Sequence, residues 1–118
     1  MKLFIPPLRT TLLLLKPLSC SINFVDSRNA KFSAKIAGTK YEDILDDYYE
    51  NRKTPSFMNV VIPQETALTI DRIYIRNNLP KYDSVTFRVM SSPLEHIIKQ
   101  RFWISLAEAN TIDYQIVK

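Results

Sequence analysis

Three observations predict the fold class. Five short runs rich in Val, Ile, Phe, Trp and Tyr follow residue 56, a single helical turn precedes the last of them, and one apolar stripe at helical spacing occupies residues 39–50. Together they predict a mostly β (α+β) domain: a small SH3-like five-stranded barrel with an N-terminal strand extension and one amphipathic helix. The chain of 118 residues is read as a single domain, with an N-terminal β-rich segment at 1–37, an acidic amphipathic helix at 39–50 and the barrel at 56–118.

The N-terminal stretch MKLFIPPLRTTLLLLKPLSC has the apolar content of a signal segment, but Pro6, Pro7, Arg9 and Lys16 cut it into pieces too short for one. Pro17 also stands where a lipoprotein signal needs an aliphatic residue, so the segment is expected to belong to the fold. Leu18, Cys20, Ile22 and Phe24 alternate with Ser19, Ser21 and Asn23, the period of a half-buried strand. Leu13 and Leu15 keep the same beat before Lys16 and Pro17, which suggests a partner strand or an extension interrupted by proline. Residues 26–29, DSRN, read as a turn.

Within 39–50, Tyr41, Ile44, Leu45, Tyr48 and Tyr49 fall on one helical stripe, and Thr39 with Glu42 has the spacing of a capping box. The helix should pack by its tyrosines and leave Asp43, Asp46, Asp47 and Glu50 in water. The strands of the barrel are expected at 57–62, 67–76, 84–90, 101–106 and 112–117, with the helical turn at 107–110. Residues 93–100 form a short helix or loop over the barrel, with Leu94, Ile97 and Ile98 inward.

Charge and composition exclude several function classes. The net charge is +4, but residues 1–37 carry six basic residues against one acidic, residues 38–53 three against five, and the remainder seven against six. A protein built only to coat phosphate would not place its densest charge run, EDILDDYYE, on carboxylates. Cys20 is the only cysteine, so an intramolecular disulfide and a cysteine-based zinc site are both excluded, and a reducing, intracellular setting fits. Gly38 is the only glycine, which excludes glycine-rich phosphate loops. His96 is the only histidine, with Glu95, Ser91 and Ser92 near it in sequence but no pattern that makes a catalytic pair. No catalytic residue, metal site or cofactor is expected.

The hairpin DRIYIRNNLPKYDSVTFRV supplies the leading binding surface. Ile73 and Ile75 share a face with Val85, Phe87 and Val89, which leaves Arg72, Tyr74 and Arg76 outside beside Ser84, Thr86 and Arg88, with Lys81 and Tyr82 in the connecting loop. Arginine and tyrosine in this pattern suit an acidic protein surface. They also suit single-stranded nucleic acid, where cations track phosphates and rings stack bases. The same residues are good strand formers for a solvent-facing sheet. Arg101 joins the surface if Phe102, Ile104 and Leu106 face the core, which would also turn Trp103 outward. The competing register buries Trp103, and a lone Trp in a small domain more often lies in the core. The acidic helix face of Asp43, Asp46, Asp47 and Glu50 is the second interaction surface. An edge strand at 67–76 would allow a homo-oligomer.

The segments LTIDRIYIRNN, YDSVTFRV and RFWISLAEANTIDY resemble parts of small uncharacterised proteins of bacteriophages and mobile elements. The resemblance covers about half of the chain and carries no catalytic motif. It implies a small protein of the host-cell cytoplasm that acts by binding a host or viral component. Separately, no apolar run approaches the length of a spanning helix, so no membrane partner is expected.

Overall fold

The computed structural model describes residues 7–23, 27–50, 57–75 and 83–117. Its organising feature is a long bent ribbon. Strand β1 (Thr11–Leu14) pairs antiparallel with β4 (Ala67–Tyr74), and β2 (Leu18–Asn23) pairs antiparallel with β3 (Phe57–Ile62). Thr11 faces Thr69 and Leu18 faces Ile62, so seven residues forward on one arm match seven back on the other and the register never slips. At the bend, Leu14 N–H donates to the Thr66 carbonyl at 2.9 Å and Glu65 N–H to the Leu14 carbonyl at 2.9 Å. Pro17 and Pro63 flank it because neither can donate to a ladder, and Glu65 sits at φ 69°, a left-handed conformation that turns the chain.

The bend divides the ribbon between two sheets. With β5 (Ser84–Ser91), β6 (Arg101–Ser105) and β7 (Tyr114–Ile116), the outer half forms a five-stranded antiparallel sheet in the order β6-β5-β4-β1-β7, while β2 and β3 form a two-stranded sheet. Strand β4 is therefore central, which corrects the expectation of an edge at 67–76. The core lies between the sheets: Leu12, Leu14, Leu68, Ile70, Val85, Phe87, Val89, Phe102 and Ile104 meet Leu18, Cys20, Ile22, Val60 and Ile62. Ile97, from a 3-10 turn at Glu95–Ile97, completes one end, with Leu94 and Ile98 packed beside it as the sequence predicts.

Three helices are described where the sequence predicted one amphipathic helix and a helical turn. Helix α1 (Ser27–Ala37) replaces the predicted turn at 26–29 and part of the β-rich segment 1–37. Its buried face is Asn29, Ala30, Phe32, Ser33 and Ala34, mostly small or polar residues, which is why no apolar stripe announces it. Phe32 stacks on Phe102 with ring centroids 4.2 Å apart. Gly38 ends the helix at φ 73°, and Thr39 N–H closes back on the Ala34 carbonyl at 3.0 Å, a Schellman termination that uses the one glycine.

Helix α2 (Tyr41–Glu50) packs on α1. The Lys40 carbonyl accepts from Asp43 and Ile44 N–H, so Lys40 rather than Thr39 is the N-cap and the helix starts later than the predicted residue 39. Tyr49 is exposed, so the helix rests on half-buried Ile44 and Leu45 rather than on this tyrosine; the side chains of Tyr41 and Tyr48 lie outside the described residues. Helix α3 (Leu106–Ala109) is capped by Ser105, whose hydroxyl accepts from Glu108 N–H at 3.1 Å.

The sheets do not close into a barrel, which corrects the expectation of a closed SH3-like one. Strands β2 and β6 face each other across the gap, yet side chains rather than a ladder satisfy their edges. On β6, buried Asn29 accepts from Trp103 N–H at 2.9 Å and donates through Nδ2 to the Trp103 carbonyl at 3.1 Å. On β2, Ser21 N–H donates to Glu108 Oε2 at 2.7 Å. An amide side chain thus does for β6 what another strand would have done.

Candidate binding surface

The outer face of β4, β5 and β6 is a grid of cross-strand neighbours. Arg72, Thr86 and Trp103 form one row, Tyr74, Ser84 and Ser105 the next, and Thr69, Arg88 and Arg101 the third. A β-bulge makes this grid possible. Leu68 and Ile70 point inward, and strict alternation would send Arg72 inward as well; the register shift between Ile70 and Arg72 leaves Asp71 unpaired and puts Arg72 outside opposite Thr86. Ile73 then returns to the core side.

The structure therefore brings Arg72, Tyr74, Arg88 and Arg101 together, as the hairpin pattern predicts, and adds Trp103. Phe102, Ile104 and Leu106 are fully buried and Trp103 is half-buried on the grid, so the register with Trp103 outward is the one adopted. Arg76, Lys81 and Tyr82 lie outside the described residues. Two positions differ from expectation: Ile75 follows the end of β4 and is half exposed, and Thr86 is buried between Arg72 and Trp103.

Three arginines share the face with one carboxylate. Arg101 pairs with Asp71 at 3.8 Å, reaching across β5. Arg88 stands directly opposite Arg101, and its Nε is buried with no hydrogen-bond partner among the described residues. Arg72 is solvent-exposed and donates to the Tyr74 hydroxyl at 3.2 Å; that bond, then the nearby Tyr74 and Asp71 charges, hold its pKa above the ordinary guanidinium value. The arrangement is a permanently cationic sheet face with two aromatic rings set among the guanidinium groups.

The acidic residues named for the second surface lie on α2. Asp43, Asp46 and Glu50 are exposed on α2, while the side chain of Asp47 lies outside the described residues. Sequence reasoning missed a cleft of about 420 Å³ lined by Lys31, Lys35, Thr39, Lys40, Glu42 and Gln100. Lys31 and Lys35 are one helical turn apart, a signal visible only once α1 is recognised as a helix.

Cys20 is buried, and desolvation followed by the Glu108 charge pushes its thiol up to about 12, so it carries no thiolate at neutral pH. The Ser92 hydroxyl bonds Thr66 at 2.9 Å and accepts from Leu94 N–H at 3.1 Å, while His96 is exposed and bonds neither Ser91 nor Ser92 among the described residues. Among those residues, no group of three or more His, Cys, Asp or Glu could hold a metal, and no helix is long and apolar enough to cross a membrane. The chain matches no protein-family model, no curated protein and no solved structure.

Proposed function

We propose that this chain is a non-enzymatic binding module that engages a protein partner, a host or viral component in a phage setting within the host-cell cytoplasm, through the outer face of β4, β5 and β6. One observation carries the reading: Arg72, Tyr74, Arg88, Arg101 and Trp103 converge on one sheet face around buried Thr86. Arg, Tyr and Trp are the residue types that dominate protein interfaces, since each offers a large rigid contact and a polar handle. The partner's surface is acidic, to match three arginines of which Asp71 answers one.

Single-stranded nucleic acid is the second reading, favoured by the exposed Arg72 guanidinium held beside the half-exposed Tyr74 ring. Two measurements separate them. Under the protein reading, a photo-crosslinking residue at position 74 captures a single acidic protein, one at position 46 on α2 does not, and Arg72→Glu with Arg101→Glu abolishes capture while the circular dichroism is unchanged. Capture from position 46 alone moves the site to the acidic helix. Under the nucleic-acid reading, a labelled single-stranded oligonucleotide binds with a log–log salt slope of about −2, the value for counterions released when three arginines neutralise three phosphates. Absence of binding at low salt removes that reading.

A further inference from the structure

The open edge of β3 points to a second copy of this chain. Ser21 N–H is directed at Glu108, away from β3, so the opposed pair Ser21 and Asn59 turn their backbone groups outward rather than at each other. By the two-residue period, Phe57, Asn59 and Val61 all direct N–H and C=O to the side of β3 away from β2. Among the described residues, no strand and no backbone hydrogen bond meets them there. Phe57 and Val61 are each 55% exposed, and the strand FMNVVI holds no charge and no proline. Edge strands in soluble proteins are normally blunted by charge, proline, a bulge or a covering strand, and among the described residues β3 has none of these.

What fits this edge is its own image. We infer that β3 pairs antiparallel with β3 of a second copy about a two-fold axis at Asn59. In that register Asn59 meets Asn59, and Phe57 of each copy meets Val61 of the other, so the two exposed apolar side chains cover each other symmetrically. The outward backbone groups are those that this register pairs, giving about six intermolecular hydrogen bonds and a four-stranded sheet across the axis. The copies carry +4 each, yet the strand that joins them is uncharged and sets no like charges opposite one another. A single strand pair is small by the standard of stable interfaces, which run above about 1,200 Å², so the dimer is a weak, reversible one. This edge is separate from the arginine face.

Sedimentation equilibrium of the full chain, from low to high micromolar loading, is expected to show a monomer–dimer equilibrium. Asn59→Pro is expected to shift it fully to monomer without altering the circular dichroism, since the N–H it removes is not bonded to β2. Register is read by disulfide trapping, for which buried Cys20 does not compete. Asn59→Cys places two copies of the new thiol on residues about 5.5 Å apart and is expected to cross-link on oxidation. Val61→Cys leaves its two copies about 14 Å apart and is expected not to. A chain that stays monomeric at every concentration, an Asn59→Pro variant that still dimerises, or cross-linking through position 61 as strong as through 59 would each overturn the inference.

Discussion

The ribbon of β2 and β3 has two edges, and the chain treats them in opposite ways. The β2 edge faces β6 across a seam where Glu108 takes Ser21 N–H and Asn29 takes both backbone groups of Trp103. The β3 edge carries exposed Phe57 and Val61 and pairs with no strand among the described residues. An edge is thus not defined by running out of strands; it is defined by whether a side chain is spent on covering it. Where buried polar side chains are committed to the backbone, the edge is part of the monomer's stability. Where they are not, it is available for association.

That contrast can be broken from the sealed side first. Phe102→Ala removes the ring that stacks on Phe32 and lies 5.7 Å from Phe87, and is expected to cost about 3–5 kcal/mol in urea unfolding. Asn29→Ala leaves the Trp103 N–H and C=O unanswered at a partly buried edge and is expected to cost about 1–3 kcal/mol, with faster hydrogen exchange at the Trp103 amide. A loss under about 0.5 kcal/mol would mean that the seam does not need its plug.

The pH dependence sharpens the same point. Cys20 lies on β2 and its thiol rises from 9.0 to about 12 on folding, so the protonated form belongs to the native state. Its contribution is complete below pH 9 and declines by about 1.4 kcal/mol per pH unit as pH climbs from there towards 12. Urea midpoints measured between pH 8 and pH 11 should fall less steeply in Cys20→Ala. The smallest effect is expected at the open edge: at low concentration Asn59→Pro should change monomer stability by under about 1 kcal/mol. If it costs as much as Asn29→Ala, the two edges are not different in kind.

Much of this was legible in the alternation of side chains. Leu18, Cys20 and Ile22 marked β2, Val85, Phe87 and Val89 marked the inner face of β5, and Phe102 and Ile104 that of β6; all are buried. The cationic face was legible for the same reason, because whatever alternates with a buried residue is outside. Helix α1 was not, because Phe32 is the only large apolar residue on a fully buried face otherwise made of Asn29, Ser33 and two alanines. The bulge left a trace that went unread: inward residues are even-numbered at Leu68 and Ile70 and odd-numbered at Ile73, and a strand can change parity only by inserting a residue. The open barrel was illegible for a deeper reason. Periodicity reports which face a residue takes, whereas closure depends on which strands meet, and here a side-chain amide decided that.

The unbroken register of the ribbon has a kinetic consequence. Its innermost pair, Asn23 and Phe57, is separated by 33 intervening residues, so no short hairpin turn exists from which the ladder can zip. Closing that loop costs about 3 kcal/mol of chain entropy beyond a constant term before any rung is gained. Helices α1 and α2 lie within the loop and form from local contacts, so they shorten the search that the arms must make. Gly38, at the turn between them, is placed to govern how fast the chain folds: an L-residue there would strain the helix–helix junction early and slow the closure of a ribbon some twenty residues away.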